Sequence, residues 1–234
     1  MPHTLFNADD PTLKDEQEIV DRIYNAVMSQ ALGPSTKLNE GTLCESFGVG
    51  RMKARRALLL LASQGIVDLR SNRGAFISSP SPKEADEIFE ARIHIEPSLT
   101  SQVAEQVDNV GLEMLKSHLF KEQRARSEGD RQTSIKLSGE FHVLLATVSG
   151  NKFLTRTLRE LVTRTSLIVA MFGSSRDTCC REDDHDAMVQ AIEKRDGPLS
   201  AQLAKRHLEH IRNGLDFSRE HSKADDLVSL LKNA

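Results

Sequence analysis

Three histidines carry the chemistry this sequence most plainly offers. His142 recurs with Ile135, Ser138, Phe141 and Leu145; His185 with Met188, Val189 and Ile192; His207 with Leu203, Ile211 and Leu215. Each set has helical spacing, so each imidazole is expected on the buried stripe of a different amphipathic helix. One such histidine is more often a hydrogen-bonded core residue than a ligand. Three in one helical interior need partners for six ring nitrogens, and a shared divalent cation backed by hydrogen-bond acceptors meets that need. His94, His118 and His221 fall off the stripes and are expected in solvent. A second candidate is Arg92 with Glu96, an i, i+4 pair on the inner face of its helix. It reads as an ion pair that fixes packing, or as a guanidinium held by Glu96 to take an effector carboxylate bidentately.

A third group lies earlier. Arg51, Lys53, Arg55 and Arg56 put four cations in six positions directly after Gly48-Val49-Gly50. Net charge over the 234 residues is −3, so the whole-chain balance points to no nucleic acid. From Lys37 to Ser79, however, seven basic residues stand against three acidic ones. A solvated helix face would explain the charges but not the elements that present them.

Those elements are legible. Residues 40–47 read as a short helix with Asn39 as N-cap. After the glycine turn, Ala54, Ala57, Leu58 and Leu61 form an apolar stripe. Two helices joined by a tight turn make a helix-turn-helix. Ile66-Val67-Asp68-Leu69 and Ala75-Phe76-Ile77 then flank Arg70-Ser71-Asn72-Arg73-Gly74, a hairpin signal with Gly74 suited to positive φ. A helix-turn-helix followed by a basic-tipped hairpin is a winged helix, which puts its second helix in a DNA major groove. Arg51, Lys53, Arg55 and Arg56 are expected to contact bases and phosphates. Arg73 and Gly74 at the wing tip are expected near the minor groove or backbone, and Lys37 lies ahead of the helix pair.

Before the winged helix, residues 1–14 read as a mobile arm, and Ile19, Val20, Ile23, Tyr24 and Val27 mark a helix from Asp15 to about Gln30. Prolines make 80–83 a linker. From 84 to 219 the pattern is helix after helix: Ala85–Gln106, Gly111–Arg126, Gln132–Val148, Phe153–Phe172, Asp183–Lys194 and Leu199–Phe217. Gly197-Pro198 is read as the stop of the fifth. Six amphipathic helices imply a bundle with a common core. Residues 220–234 form a tail. The fold class is mainly α, a winged helix-turn-helix joined to an all-helical bundle. Cys44 is expected in the core, and the adjacent Cys179 and Cys180 give no disulfide framework. No signal pattern opens the chain and no apolar run approaches a membrane span, so the expectation is a cytoplasmic protein with no membrane partner.

The stretch from Leu38 to Ile77 resembles the DNA-binding domain of the GntR family of bacterial transcription regulators. The likeness rests on Leu38-Asn39-Glu40, Gly48-Val49-Gly50-Arg51, Arg55-Arg56-Ala57-Leu58, Leu61, Gly65-Ile66-Val67 and Arg73-Gly74. It departs from the family at Gly50, where Ser is usual, at Met52-Lys53, where Thr-Pro is usual, and at Arg56, where Glu is usual. The second half is similar to the FCD domain of the FadR subfamily, on Arg92 with Glu96, Phe141-His142, Ser149-Gly150-Asn151, His185, Ala191-Ile192 and His207.

The resemblance implies a homodimer that binds a double-stranded operator, with palindromic half-sites, and a small, often carboxylated metabolite beside a divalent metal. It makes a metabolite-released repressor the leading expectation. It also implies His142, His185 and His207 as metal ligands and Arg92, Glu96 and Ser138 as effector contacts. Metal-binding members carry Asp at the position of Ser138, one turn before the histidine. The site is therefore expected to offer three neutral imidazoles and a hydroxyl, with no carboxylate to offset the ion. Imidazoles favour zinc or nickel over manganese, and the missing charge implies partial occupancy. Two other classes fit parts of the chain. A metal-dependent enzyme on the bundle would explain three histidines, but no HExxH, Ser/His/Asp set or phosphate-cradling loop accompanies them, and no enzyme is expected. A non-specific architectural DNA-binding protein would explain the wing but not the polar groups inside the bundle.

Overall fold

The computed structural model describes residues 13–173 and 184–218. Residues 1–12, Cys179, Cys180, Asp183, His221 and the expected tail lie outside the described residues. The described chain forms two compact units, one ending at Ser79 and one beginning at Pro80.

The first unit contains α1 (Lys14–Met28), β1 (Lys37–Leu38), α2 (Glu40–Phe47), α3 (Arg51–Ser63), β2 (Val67–Arg70) and β3 (Gly74–Ile77). Asn39 caps α2, its side chain accepting from the Gly41 N–H at 2.8 Å. Gly48 ends α2 at φ 64°, a left-handed geometry that only glycine adopts without a steric penalty. Two residues later extended Gly50 starts α3. α1 packs on α3, and Ile19, Ile23 and Val27 of the first and Ala54, Ala57, Leu58 and Leu61 of the second are all buried. The sequence predicts a two-stranded wing, but the sheet has three strands in the order β1-β3-β2. β1 is two residues long, too short to leave a periodic signal, and it pairs Lys37 with Phe76 and Leu38 with Ala75. Cys44, expected in the core, is only half-buried.

The second unit contains α4 (Pro82–Gln106), α5 (Asn109–Ser127), α6 (Arg131–Val148), α7 (Lys152–Phe172), α8 (Asp184–Glu193) and α9 (Gly197–Asn213). α4 starts inside the expected linker. Pro82 occupies its first turn, where the missing N–H is no loss, and Ser81 with Glu84 forms a capping box. Gly197-Pro198 likewise opens α9 two residues before the expected Leu199, capped by Asp196. α4 packs along α9, α6 along α5 and α7, and α8 against α9 and α5. Val103, Leu115, Leu119, Phe141, Leu145, Met188, Val189, Ile192 and Ala204 form its principal core. No described helix is long and apolar enough to cross a membrane.

Candidate metal centre and nucleic-acid interface

α6, α8 and α9 bring His142, His185 and His207 to one point inside the second unit. All three are at most 2 % exposed. The Nε2 atom of His207 is 3.2 Å from Nε2 of His142 and 3.2 Å from Nε2 of His185. The ligand atoms of all three lie within 4.8 Å of one another. Two nitrogens bound to one ion at about 2.0–2.1 Å, with roughly 90–110° between the bonds, stand about 2.8–3.4 Å apart. Both 3.2 Å contacts fall in that range, which direct N–H···N hydrogen bonds share.

Behind each ring stands a carboxylate. His185 Nδ1 is 2.8 Å from Glu122 Oε2, and His207 Nδ1 is 3.1 Å from Asp184 Oδ2. His142 Nδ1 is 2.6 Å from Glu96 Oε2, a contact whose N–H alignment is too poor for a proper hydrogen bond. On a neutral ring, a carboxylate hydrogen-bonded at Nδ1, as at His185 and His207, keeps the proton there and leaves Nε2 as a lone pair. A divalent cation would take all three Nε2 lone pairs at once. Burial, partly opposed by Glu96, pushes His142 down to about 3, so this ring is a neutral donor. Burial raises the Glu96 carboxyl, but Arg92 and His142 outweigh it and hold Glu96 well below the usual carboxylate range. In Glu122 burial is outweighed by His185 and His118, again with a net lowering. In Asp184 burial is outweighed by His207, with the same direction.

Two expectations fail here. The centre is not devoid of carboxylates, because Glu96, Glu122 and Asp184 supply charge from behind the imidazoles. His118 is not solvated but 7 % exposed. Its Nε2 is 2.8 Å from the Leu137 carbonyl and 3.4 Å from Glu122 Oε1. Sequence reasoning missed Glu122, although a signal was present. It falls on the α5 stripe of Leu115, His118, Leu119 and Ala125, where a carboxylate must find a partner. Asp184, adjacent in sequence to His185, was missed because neighbours on a helix face different ways.

Beside the histidines a cavity is lined by Arg92, Ser138, His142 and Thr165, with Phe89 and Ile135 among its apolar walls. The cavity volume is about 30 Å³, room for two or three waters at roughly 10–15 Å³ each. Arg92 is 3 % exposed. It donates from Nε to Glu96 at 2.5 Å and from Nη1 to Thr165 Oγ1 at 2.7 Å. The guanidinium is therefore fixed by the protein and still borders the cavity. Glu96 braces both Arg92 and His142 from outside the lining.

In the first unit Arg51, Lys53, Arg55 and Arg56 all lie on the exposed side of α3. Arg73 is exposed in the β2–β3 turn, and Gly74 has φ 97°. Lys37 is brought onto the wing: its Nζ lies 6.0 Å from the Phe76 ring centre, with Arg70 4.5 Å from the same centre.

Comparison with known proteins agrees with this architecture. Residues 15–77 match the model described as bacterial regulatory proteins, gntR family, and residues 87–210 match the FCD domain. The chain is 28 % identical over 227 residues to the uncharacterized HTH-type transcriptional regulator YdhC of Bacillus subtilis, covering 92 % of this chain and 99 % of that one. It is 22 % identical to the HTH-type transcriptional repressor RspR of Escherichia coli, covering 91 % and 93 %. Among solved structures, a putative transcriptional regulator GntR from Rhodococcus sp. RHA1 superposes with a TM-score of 0.74 at 17 % identity, covering 86 % and 96 %. Escherichia coli McbR/YncC superposes at 0.68 and 17 % identity, covering 83 % and 93 %.

Proposed function

The chain belongs to the gntR family of bacterial regulatory proteins and carries an FCD domain, and on that premise we propose a repressor released from its operator by a small carboxylated metabolite. DNA binding and transcriptional regulation come with the family. The finer reading is that the chain works in the cytoplasm as a homodimer on a palindromic operator. One winged helix reads few base pairs, and two related by a dyad read half-sites about one helical turn apart. That a relative bears the name of a repressor supports the sign of regulation.

The observation that carries the effector reading is the convergence of His142, His185 and His207 beside Arg92 and Ser138. Those three imidazoles would hold a divalent cation, zinc or nickel in preference to manganese. A bound ion supplies a Lewis-acidic position for a ligand oxygen. Arg92, locked by Glu96 and Thr165, presents a guanidinium edge to an effector carboxylate, and the Ser138 hydroxyl adds a hydrogen bond. Phe89 and Ile135 give the cavity apolar walls, beside which both interactions are stronger than in open water. The cluster senses and does not turn over substrate. To regulate, the effector must bind the DNA-competent and DNA-incompetent states with different affinity.

The test is to select operators with the purified protein from its own genomic DNA, then titrate small carboxylates into the zinc-loaded complex. At least one carboxylate releases DNA from wild type. If none does, and none shifts the unfolding midpoint of the protein, the effector reading is wrong.

A further inference from the structure

The cations of α3 are not free in the DNA-free protein. Lys53 Nζ is 2.5 Å from Asp15 Oδ2, Arg55 Nε is 3.2 Å from Glu40 Oε1, and Arg56 Nη1 is 3.7 Å from Glu16 Oε1. Asp15 and Glu16 stand in the first turn of α1 and Glu40 in that of α2. Of the four basic residues, Arg51 alone has no acidic partner among the described residues. Glu16 is fully buried and neither of its oxygens accepts a hydrogen bond. A buried carboxylate in that condition pulls on the cations around it, and Arg56 stands within ion-pair range.

From this we infer that Asp15, Glu16 and Glu40 set the sequence specificity of DNA binding, by competing with backbone phosphate for Lys53, Arg56 and Arg55. On DNA of arbitrary sequence the protein finds only phosphates. Each cation must then leave a carboxylate for a phosphate, and the abandoned carboxylate faces the same negative surface. A cation already neutralised also releases fewer counterions, so phosphate-only binding is weak and its salt dependence shallow. On a matched site the balance differs. Arg55 meets Glu40 through Nε, leaving its terminal N–H groups for the O6 and N7 edge of guanine. Base reading and the internal contact then coexist, and Glu40 orients the fork instead of opposing it. The penalty falls on wrong DNA more than on right DNA.

The inference rests on α3 being the DNA-reading helix, and the experiment separates the two. Full-length wild type, Asp15→Asn, Glu40→Gln and the double variant are titrated by fluorescence anisotropy at several salt concentrations. The probes are a short random-sequence duplex and the tightest site recovered from a randomised library. Each single variant tightens binding to the random duplex by about two- to fivefold, the scale of one exposed ion pair. The double variant steepens the salt slope on random DNA by about one. The recovered site gains less, so the ratio of the two affinities falls. Unchanged affinity and slope on random DNA would overturn the inference, as would an equal gain on both duplexes. Arg51→Ala and Arg55→Ala are the controls: if both bind both duplexes as wild type does, α3 does not read DNA and both readings fail. Glu16→Gln joins the series with its unfolding midpoint measured. Should it unfold, Asp15→Asn and Glu40→Gln, on half-exposed side chains, still decide the matter.

Discussion

Nδ1 of His185 and Oε2 of Glu122 lie 2.8 Å apart in the interior, joining α8 to α5 across 63 residues of sequence. The same oxygen is 3.3 Å from Arg126 Nη1, so its position is fixed from two sides. That fixation decides which ring nitrogen of His185 carries the proton and where Nε2 points. Glu122→Gln keeps the shape but removes the charge, and it should weaken zinc binding by about 10- to 100-fold. Competition against a colorimetric chelator measures this, and His185→Ala should abolish binding altogether.

Ser138 stands one turn before His142 and shares the cavity with it. Ser138→Asp places a carboxylate beside the neutral imidazoles and should raise metal affinity in the same competition assay. The variant should also bind carboxylates less well, because the new charge would stand where the proposed effector carboxylate binds.

Arg92 cannot be removed without consequence. Glu96 is 2 % exposed, and deleting its guanidinium partner leaves a buried carboxylate facing only His142. Arg92→Ala should lower stability by about 3–5 kcal/mol, measured by denaturant unfolding of the full chain. Thr165→Ala is the milder probe: it removes one of the contacts that hold the guanidinium and should weaken the effector response while the protein stays folded.

On the DNA side, Arg55→Ala should cost at least about 1 kcal/mol on the matched site if Arg55 reads a base. Lys37→Ala should lower affinity alike for all sequences and reduce the salt slope by about one if Lys37 contacts a phosphate. Anisotropy over a salt series distinguishes the two outcomes.

The sequence reveals what periodic patterns encode and misses what tertiary packing adds. The stripes around His142, His185 and His207 mark three buried imidazoles correctly because burial repeats every turn. The same logic fails for His118, since a stripe drawn from apolar residues alone excludes the polar side chain that shares it. Glu122 escapes notice for the same reason, although a carboxylate on the Leu115–Ala125 face had to be paired. β1 is invisible because Lys37 and Leu38 make a strand only by pairing with Phe76 and Ala75. The helix starts at Pro82 and Gly197 are misread as breaks because proline disrupts the middle of a helix yet suits its first turn.

Metal content of the intact protein decides whether His142, His185 and His207 hold an ion. Wild type is loaded with zinc, dialysed against metal-free buffer with and without a carboxylate that releases DNA, and assayed by elemental analysis beside His185→Ala and His207→Ala. The account predicts that wild type retains zinc, up to one ion per chain and more completely with the carboxylate present, while both variants retain none. Wild type that holds no divalent ion at micromolar concentrations would contradict it, and the three histidines would then be hydrogen-bonding groups for a ligand.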